Sequence, residues 1–159
     1  MNDPYHLEKA LWTSDDFEAM GWHDSRVWAM VAAEESYEFA MDLDYIFKRV
    51  HPGPGEASFR FWVAPVTMVF ENAHDVSIKI ESRQGGMEVA DLRRGEPKPT
   101  PNGARTDYLY RFECQEGTVS LRATGYRLYV RSEPRLMDGQ CFSLAERGGI
   151  SVERRAVAV

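Results

Sequence analysis

Residues Tyr37–Phe47 read YEFAMDLDYIF, and the alternation within them decides the fold class. Phe39, Met41, Leu43, Tyr45 and Phe47 fall on one side of an extended chain; Asp42, Asp44 and Lys48 fall on the other. A two-residue period over this length specifies a strand with one packed face and one available face. On the available face the two aspartates stand about 7 Å apart.

The flanking segments continue the pattern. Upstream, Arg26–Ala33 is apolar enough for a buried strand, and Glu34, Glu35 and Ser36 turn the chain between the two. Downstream, residues 51–58 (HPGPGEAS) form a loop and Phe59–Glu71 resumes as strand. Pro65 lies inside that strand; lacking a ladder donor, it requires a bulge or an edge position. Val76, Ile78 and Ile80 alternate with polar residues, and Met87–Leu92 follows the Gly85–Gly86 turn. Tyr108, Tyr110, Phe112 and Cys114 alternate again. Within Thr118–Arg131 the apolar side changes parity at Gly125, the signature of a bulge.

Residues 94–106 (RGEPKPTPNGART) hold three prolines and two glycines without apolar period, and read as a long mobile loop. Residues 1–12 read as a flexible lead-in. Thr13 and Ser14 ahead of Asp15 and Asp16, with Gly21 beyond, fit a short helix. Cys141–Ala145 suits a short strand or a turn of helix, and residues 150–159 a final strand or a tail. About eight strands and no repeat specify a mainly β, single-domain antiparallel β-sandwich or partly open barrel over residues 1–159, with one short N-terminal helix.

With 43% hydrophobic and 12% aromatic residues, the chain has the composition of an ordinary globular domain. Its net charge of −6 argues against nucleic acid or an anionic membrane as partner. No apolar stretch reaches the roughly 18 residues of a membrane helix. The N-terminus lacks a basic region followed by an apolar one, so no secretory signal is expected. Cys114 and Cys141 are solitary, which suits reduced thiols in a cytoplasmic protein.

Several groups qualify as sites, each against a plainer reading. Asp42 and Asp44 suit a divalent cation or an acid–base pair working through water. The plainer and preferred alternative is a solvated strand face whose acids pair with arginines. His23 and Asp24 are adjacent, but neighbours on a strand point to opposite faces, so no simple dyad is expected; Asp24 would hold turn geometry or meet Arg26. His6, His51 and His74 lack the short spacing of a zinc site, and no metal or cofactor is expected. No nucleophile elbow, P-loop or dinucleotide fingerprint is present. Arg127, Tyr129 and Arg131 share a strand face that suits a carboxylate or phosphate. Charge balance favours internal pairing of these arginines with Asp42, Asp44 and Glu71.

The run WHDSRVW (22–28), LDYIF (43–47), FWVAPVTMVFENA (61–73) and ATGYRLYVRSEP (123–134) resembles a group of uncharacterised bacterial β-rich proteins. It is also similar to immunity proteins of bacterial toxin systems. The resemblance implies a non-enzymatic domain that binds another protein, as an acidic inhibitor binds a basic toxin. Recognition would run through the Asp42/Asp44 face, or through the aromatic and Arg-bearing surface from Tyr126 to Arg131. The alternatives are a small-ligand-binding or hydrolytic enzyme using Asp42, Asp44 and His23, and a structural homo-oligomer pairing edge strands, with Pro65 marking a protected edge.

Overall fold

The computed structural model describes residues 4–159. Residues 1–3 of the expected lead-in lie outside the described part. The remainder of it is packed: Leu7 and Ala10 are buried, and strand β1 spans Leu11–Thr13. Nine more strands follow: β2 (Arg26–Ala33), β3 (Glu38–Val50), β4 (Arg60–Glu71), β5 (His74–Ile80), β6 (Met87–Pro99), β7 (Thr106–Cys114), β8 (Gly117–Ala123), β9 (Gly125–Val130) and β10 (Arg135–Met137). They pair antiparallel in one open sheet ordered β1-β9-β4-β3-β2-β6-β7-β8-β5, with β10 beside β4. Among the described residues no helix is long and apolar enough to cross a membrane.

The open sheet curls. β4 and β7 stand four strand spacings apart in that order, about 19 Å along a flat sheet. The rings of Phe70 and Tyr110 nevertheless lie 5.0 Å apart. Phe39, Met41, Leu43 and Tyr45 of β3 point into the enclosed side, against a core that includes Trp22, Phe112, Leu121 and Tyr126. The alternation in Tyr37–Phe47 therefore does set the packed face.

Two chain crossings link the halves of the sheet. The chain passes from β4 to β5 at Asn72–Ala73 and from β8 to β9 at Thr124, with Glu71 paired to Gly125 and His74 to Arg122. The parity change near Gly125 is this second crossing: Leu121 and Ala123 before it, and Tyr126 and Leu128 after it, are all buried. A Cβ at Gly125 would stand 2.5 Å from Ser14 Oγ, so glycine lets the N-terminal segment approach β9.

Pro65 lies in a strand flanked on both sides, not at the sheet edge. β3 runs along one side of it, and β9 and β10 share the other, leaving Pro65 at the break between them. Its carbonyl accepts from the Arg131 amide at 3.0 Å. The missing N–H faces the same break, so no ladder bond is lost.

Three expectations need correction, and one open alternative is decided. Residues 94–106 are not one loop: β6 runs to Pro99, β7 starts at Thr106, and only residues 100–105 turn. Among the described residues β6 has a strand partner on one side only over that stretch, the setting in which proline is tolerated. The N-terminal helix is a 3-10 helix over Ser14–Ala19, begun by a Thr13–Asp16 capping box, and Met20 rather than Gly21 ends it. β2 is not buried, since Val31 and Ala32 are exposed. The C-terminal region holds one helical turn, α1 (Leu144–Arg147), and then an extended strap without regular structure.

Replacing Gly125 with alanine should cost about 1–3 kcal/mol by overpacking. Removing the opposing hydroxyl as well, in Gly125→Ala/Ser14→Ala, should return most of that loss; urea denaturation of both variants reads the difference.

Candidate functional site

The outer face of β3 is closed. Asp42 and Asp44 are 0% exposed, which overturns the solvated, available face expected of them. Alternation assigned the side correctly, but the C-terminal segment covers it. α1 is begun by a reciprocal Ser143–Glu146 capping box and ended by Gly148 and Gly149, both at positive φ. This short turn delivers Arg147 onto the two acids. The strap beyond it crosses β3, β4 and β9 in turn: Ser151 N donates to Asp42, Glu153 O accepts from Thr67 Oγ1, and Val157 N donates to Val130 O.

Every carboxylate oxygen in the cluster is occupied. Asp42 Oδ1 accepts from Arg131 Nη2 at 2.8 Å and Arg147 Nη2 at 2.6 Å. Asp42 Oδ2 accepts from Arg147 Nη1 at 2.7 Å and the Ser151 amide at 2.8 Å. Asp44 Oδ1 accepts from Arg147 Nε at 3.0 Å, while Oδ2 takes Trp28 Nε1 at 2.8 Å and the Phe142 amide at 2.9 Å. Two acids and two arginines leave no net charge. Burial opposes the charge of Arg147, but the hydrogen bonds and charges of Asp42 and Asp44 outweigh it and raise its pKa. An interlocked, neutral, fully bonded cluster fixes how the C-terminal segment docks. It is a staple, not a reaction centre.

Of the arginine row, Arg131 joins Asp42 and Arg127 pairs with Glu71 at 3.2 Å, as internal pairing predicts. Arg127 and Tyr129 stay outside the cluster, and Tyr126 is buried in the core. The Tyr126–Arg131 surface is therefore much smaller than the sequence suggests. His23 does not meet Asp42 or Asp44 at one water either: its side chain is 65% exposed while theirs are sealed.

His23 and Asp24 do pair, contrary to the strand argument. Asp24 adopts a left-handed turn conformation, φ 69°, so the opposite-face rule does not apply. His23 Nδ1 lies 2.8 Å from Asp24 Oδ2. The same oxygen accepts from Arg49 Nη2 at 3.1 Å and Gln140 Nε2 at 2.9 Å; Arg49, not Arg26, is its cationic partner. Burial opposes ionisation of Asp24, yet hydrogen bonds involving His23, Glu88 and Arg49 hold its carboxyl below the usual range. Burial, then the hydrogen bond and charge of Asp24, then Glu116, push the Glu88 carboxyl up. Beside this group a cleft of about 260 Å³ opens between β3 and the N-terminal segment, lined by Tyr5, Trp12, Tyr45 and Phe47 together with His23, Lys48 and Arg49.

Two residues central to these clusters were missed in the sequence. Arg147 carried one legible signal, the Ser143-x-x-Glu146 capping box ahead of Gly148 and Gly149. Arg49 carried none, because the sheet alone brings it to His23. A second histidine–acid contact, His74 Nε2 to the buried Asp107 at 3.4 Å, belongs to a pair that Arg122 already neutralises at 2.6 Å. Among the described residues no group of His, Cys, Asp and Glu is placed to hold a metal ion.

The chain matches no family model, no curated protein and no solved structure.

Two outcomes follow from this geometry. Arg147→Met should cost about 3–5 kcal/mol, because it leaves Asp44 without a cation and two buried carboxylates with Arg131 alone; urea denaturation measures it. Glu88→Gln tests the acid pair. A carboxyl whose folded pKa is raised loses stability as pH climbs from its unfolded pKa through its folded one. The variant should therefore melt higher than the parent at about pH 7.5 and no higher at about pH 4, where Glu is largely protonated in both states.

Proposed function

We propose that the chain is a non-enzymatic protein-binding domain, in its most specific form an immunity-type inhibitor of a basic toxin. The observation that carries this reading is the open edge of β2. β2 pairs with β3 along one side, but with β6 only at Arg26 and Val27. Trp28–Ala33 (WAMVAA) thus overhangs β6 with an edge that has no strand partner among the described residues. That edge carries no charge or proline, and Val31 is 42% exposed.

The contrast within the same sheet supports the reading. The one-sided stretch of β6 carries Arg93, Arg94, Glu96 and Lys98 with Pro97 and Pro99, the devices that discourage edge pairing. The Trp28–Ala33 stretch of β2 carries no such charge or proline; the irregularity in β2 lies at its start, between Val27 and Ala29. An extended segment of a partner can add there as a further strand, using main-chain hydrogen bonds for affinity. Glu34 and Glu35, exposed at the end of β2, and the net charge of −6 would steer a basic partner toward that edge. In this reading the curled sheet acts as a sandwich-like scaffold in the cytoplasm; the two free thiols, Cys114 and Cys141, are in keeping with that compartment.

The test is an affinity measurement with a partner captured by crosslinking in the native host and then purified. Val31→Lys places a charge on the open edge at an exposed position, so the melting temperature should hold while affinity falls at least about tenfold. Amides of residues 28–33 should gain protection from hydrogen exchange in the complex. Equal affinity of parent and variant, with no protection of that stretch, would sink the reading. Concentration-dependent dimerisation lost in Val31→Lys would instead identify a homo-oligomer pairing the same edge.

A further inference from the structure

We propose that the cleft between β3 and the N-terminal segment binds a small planar aromatic acid. Its walls supply aromatic surface: the Tyr5 ring lies 6.0 Å from Phe47 and Trp12 6.3 Å, both tilted, and Tyr45 meets the same ring edge-on at 4.7 Å. A volume of about 260 Å³ suits a ligand of one or two rings. Aromatic walls alone would equally suit a cation. The rim decides the sign of the ligand.

Three cationic or protonatable side chains, His23, Lys48 and Arg49, border the opening. Of the nearby acids, Asp24 is matched by His23, Arg49 and Gln140, and Asp16 by Lys9 at 2.6 Å. Burial and Asp24 push the Glu88 carboxyl toward its neutral form, which leaves Glu8, near Tyr5, as the acid the rim cations outnumber. Lys48 is exposed and has no ion-pair partner among the described residues. Arg49 uses only Nη2 in its contacts to His23 and Asp24, which leaves its other donors unspent. His23 is tied through Nδ1, so Nε2 remains available.

The most specific feature is Tyr45. Its side chain is buried, and its hydroxyl oxygen accepts the Gly21 amide at 3.1 Å. That bond fixes the oxygen and leaves the O–H as a donor in the cleft wall, with no acceptor among the described residues. Burial raises the Tyr45 pKa well above the ordinary phenol range, so the proton stays on. A carboxylate at the mouth would accept from this O–H and from the cationic rim while its ring lies against Trp12 and Phe47. A polar donor held inside an aromatic pocket is the usual design of a site that orients a small ligand. This site is separate from the β2 edge, so it stands or falls independently of the protein-binding reading.

The probe is 1-naphthoate, titrated calorimetrically into the full chain, with 1-naphthalenemethanol as a neutral analogue of similar size. Naphthoate should bind at one site and at least about tenfold more tightly than the alcohol. His23→Ala/Lys48→Ala should weaken naphthoate about tenfold and leave the alcohol unchanged. Tyr45→Phe should weaken naphthoate as well, with a melting curve to show that the fold persists. Backbone amide shifts on binding should centre on Gly21 and Phe47. Equal affinity for acid and alcohol, shifts centred elsewhere, or no binding at millimolar naphthoate would each overturn the proposal.

Discussion

The contact of Arg147 with Asp42 and Asp44 is the constraint on which the rest of the molecule depends. It converts the outer face of a half-buried sheet into an interior. Two carboxylates side by side on β3 would repel in water; with Arg131 and Arg147 they form a neutral, closed group. The same group holds the Phe142 and Ser151 amides, so the C-terminal segment docks in one register. Phe142 then fills a small second core with Phe61 and Val63. Hydrophobic replacement of such a cluster is often tolerated energetically, so its value lies in specifying position.

Closing that face displaces function to what remains open. The packed interior is aromatic and continuous, and the C-terminal strap crosses the outer side of β3, β4 and β9. Among the openings left are the overhanging edge of β2 and the cleft beside the N-terminal segment, where Phe47 leaves the core. Their chemistry differs. The β2 edge presents uncharged backbone beside acids, whereas the cleft presents aromatic walls beside cations. In the two proposals these separate surfaces meet a basic polypeptide and a small anion.

Much of the fold was legible because strands announce themselves by side-chain parity. The inner residues Phe39, Met41, Leu43 and Tyr45, the parity change at Gly125 and the pairing of arginines with carboxylates follow from local pattern and charge balance, although the parity change is a crossing between β8 and β9 rather than the expected bulge. The errors came from local rules whose conditions the sequence does not state. Proline and glycine content made residues 94–106 look like a loop, because composition does not reveal that the second side of β6 lacks a strand. The opposite-face rule failed at His23–Asp24 because it assumes extended backbone, and Asp24 is left-handed.

The sequence by itself determined which side chains of β3 share a face, and that charge on one of those faces needed partners. Only the tertiary structure decided whether that face met water. The answer rests on a single helical turn more than a hundred positions downstream. Parity is a property of neighbouring residues, but burial is set by what the rest of the chain lays across them. No local period records that.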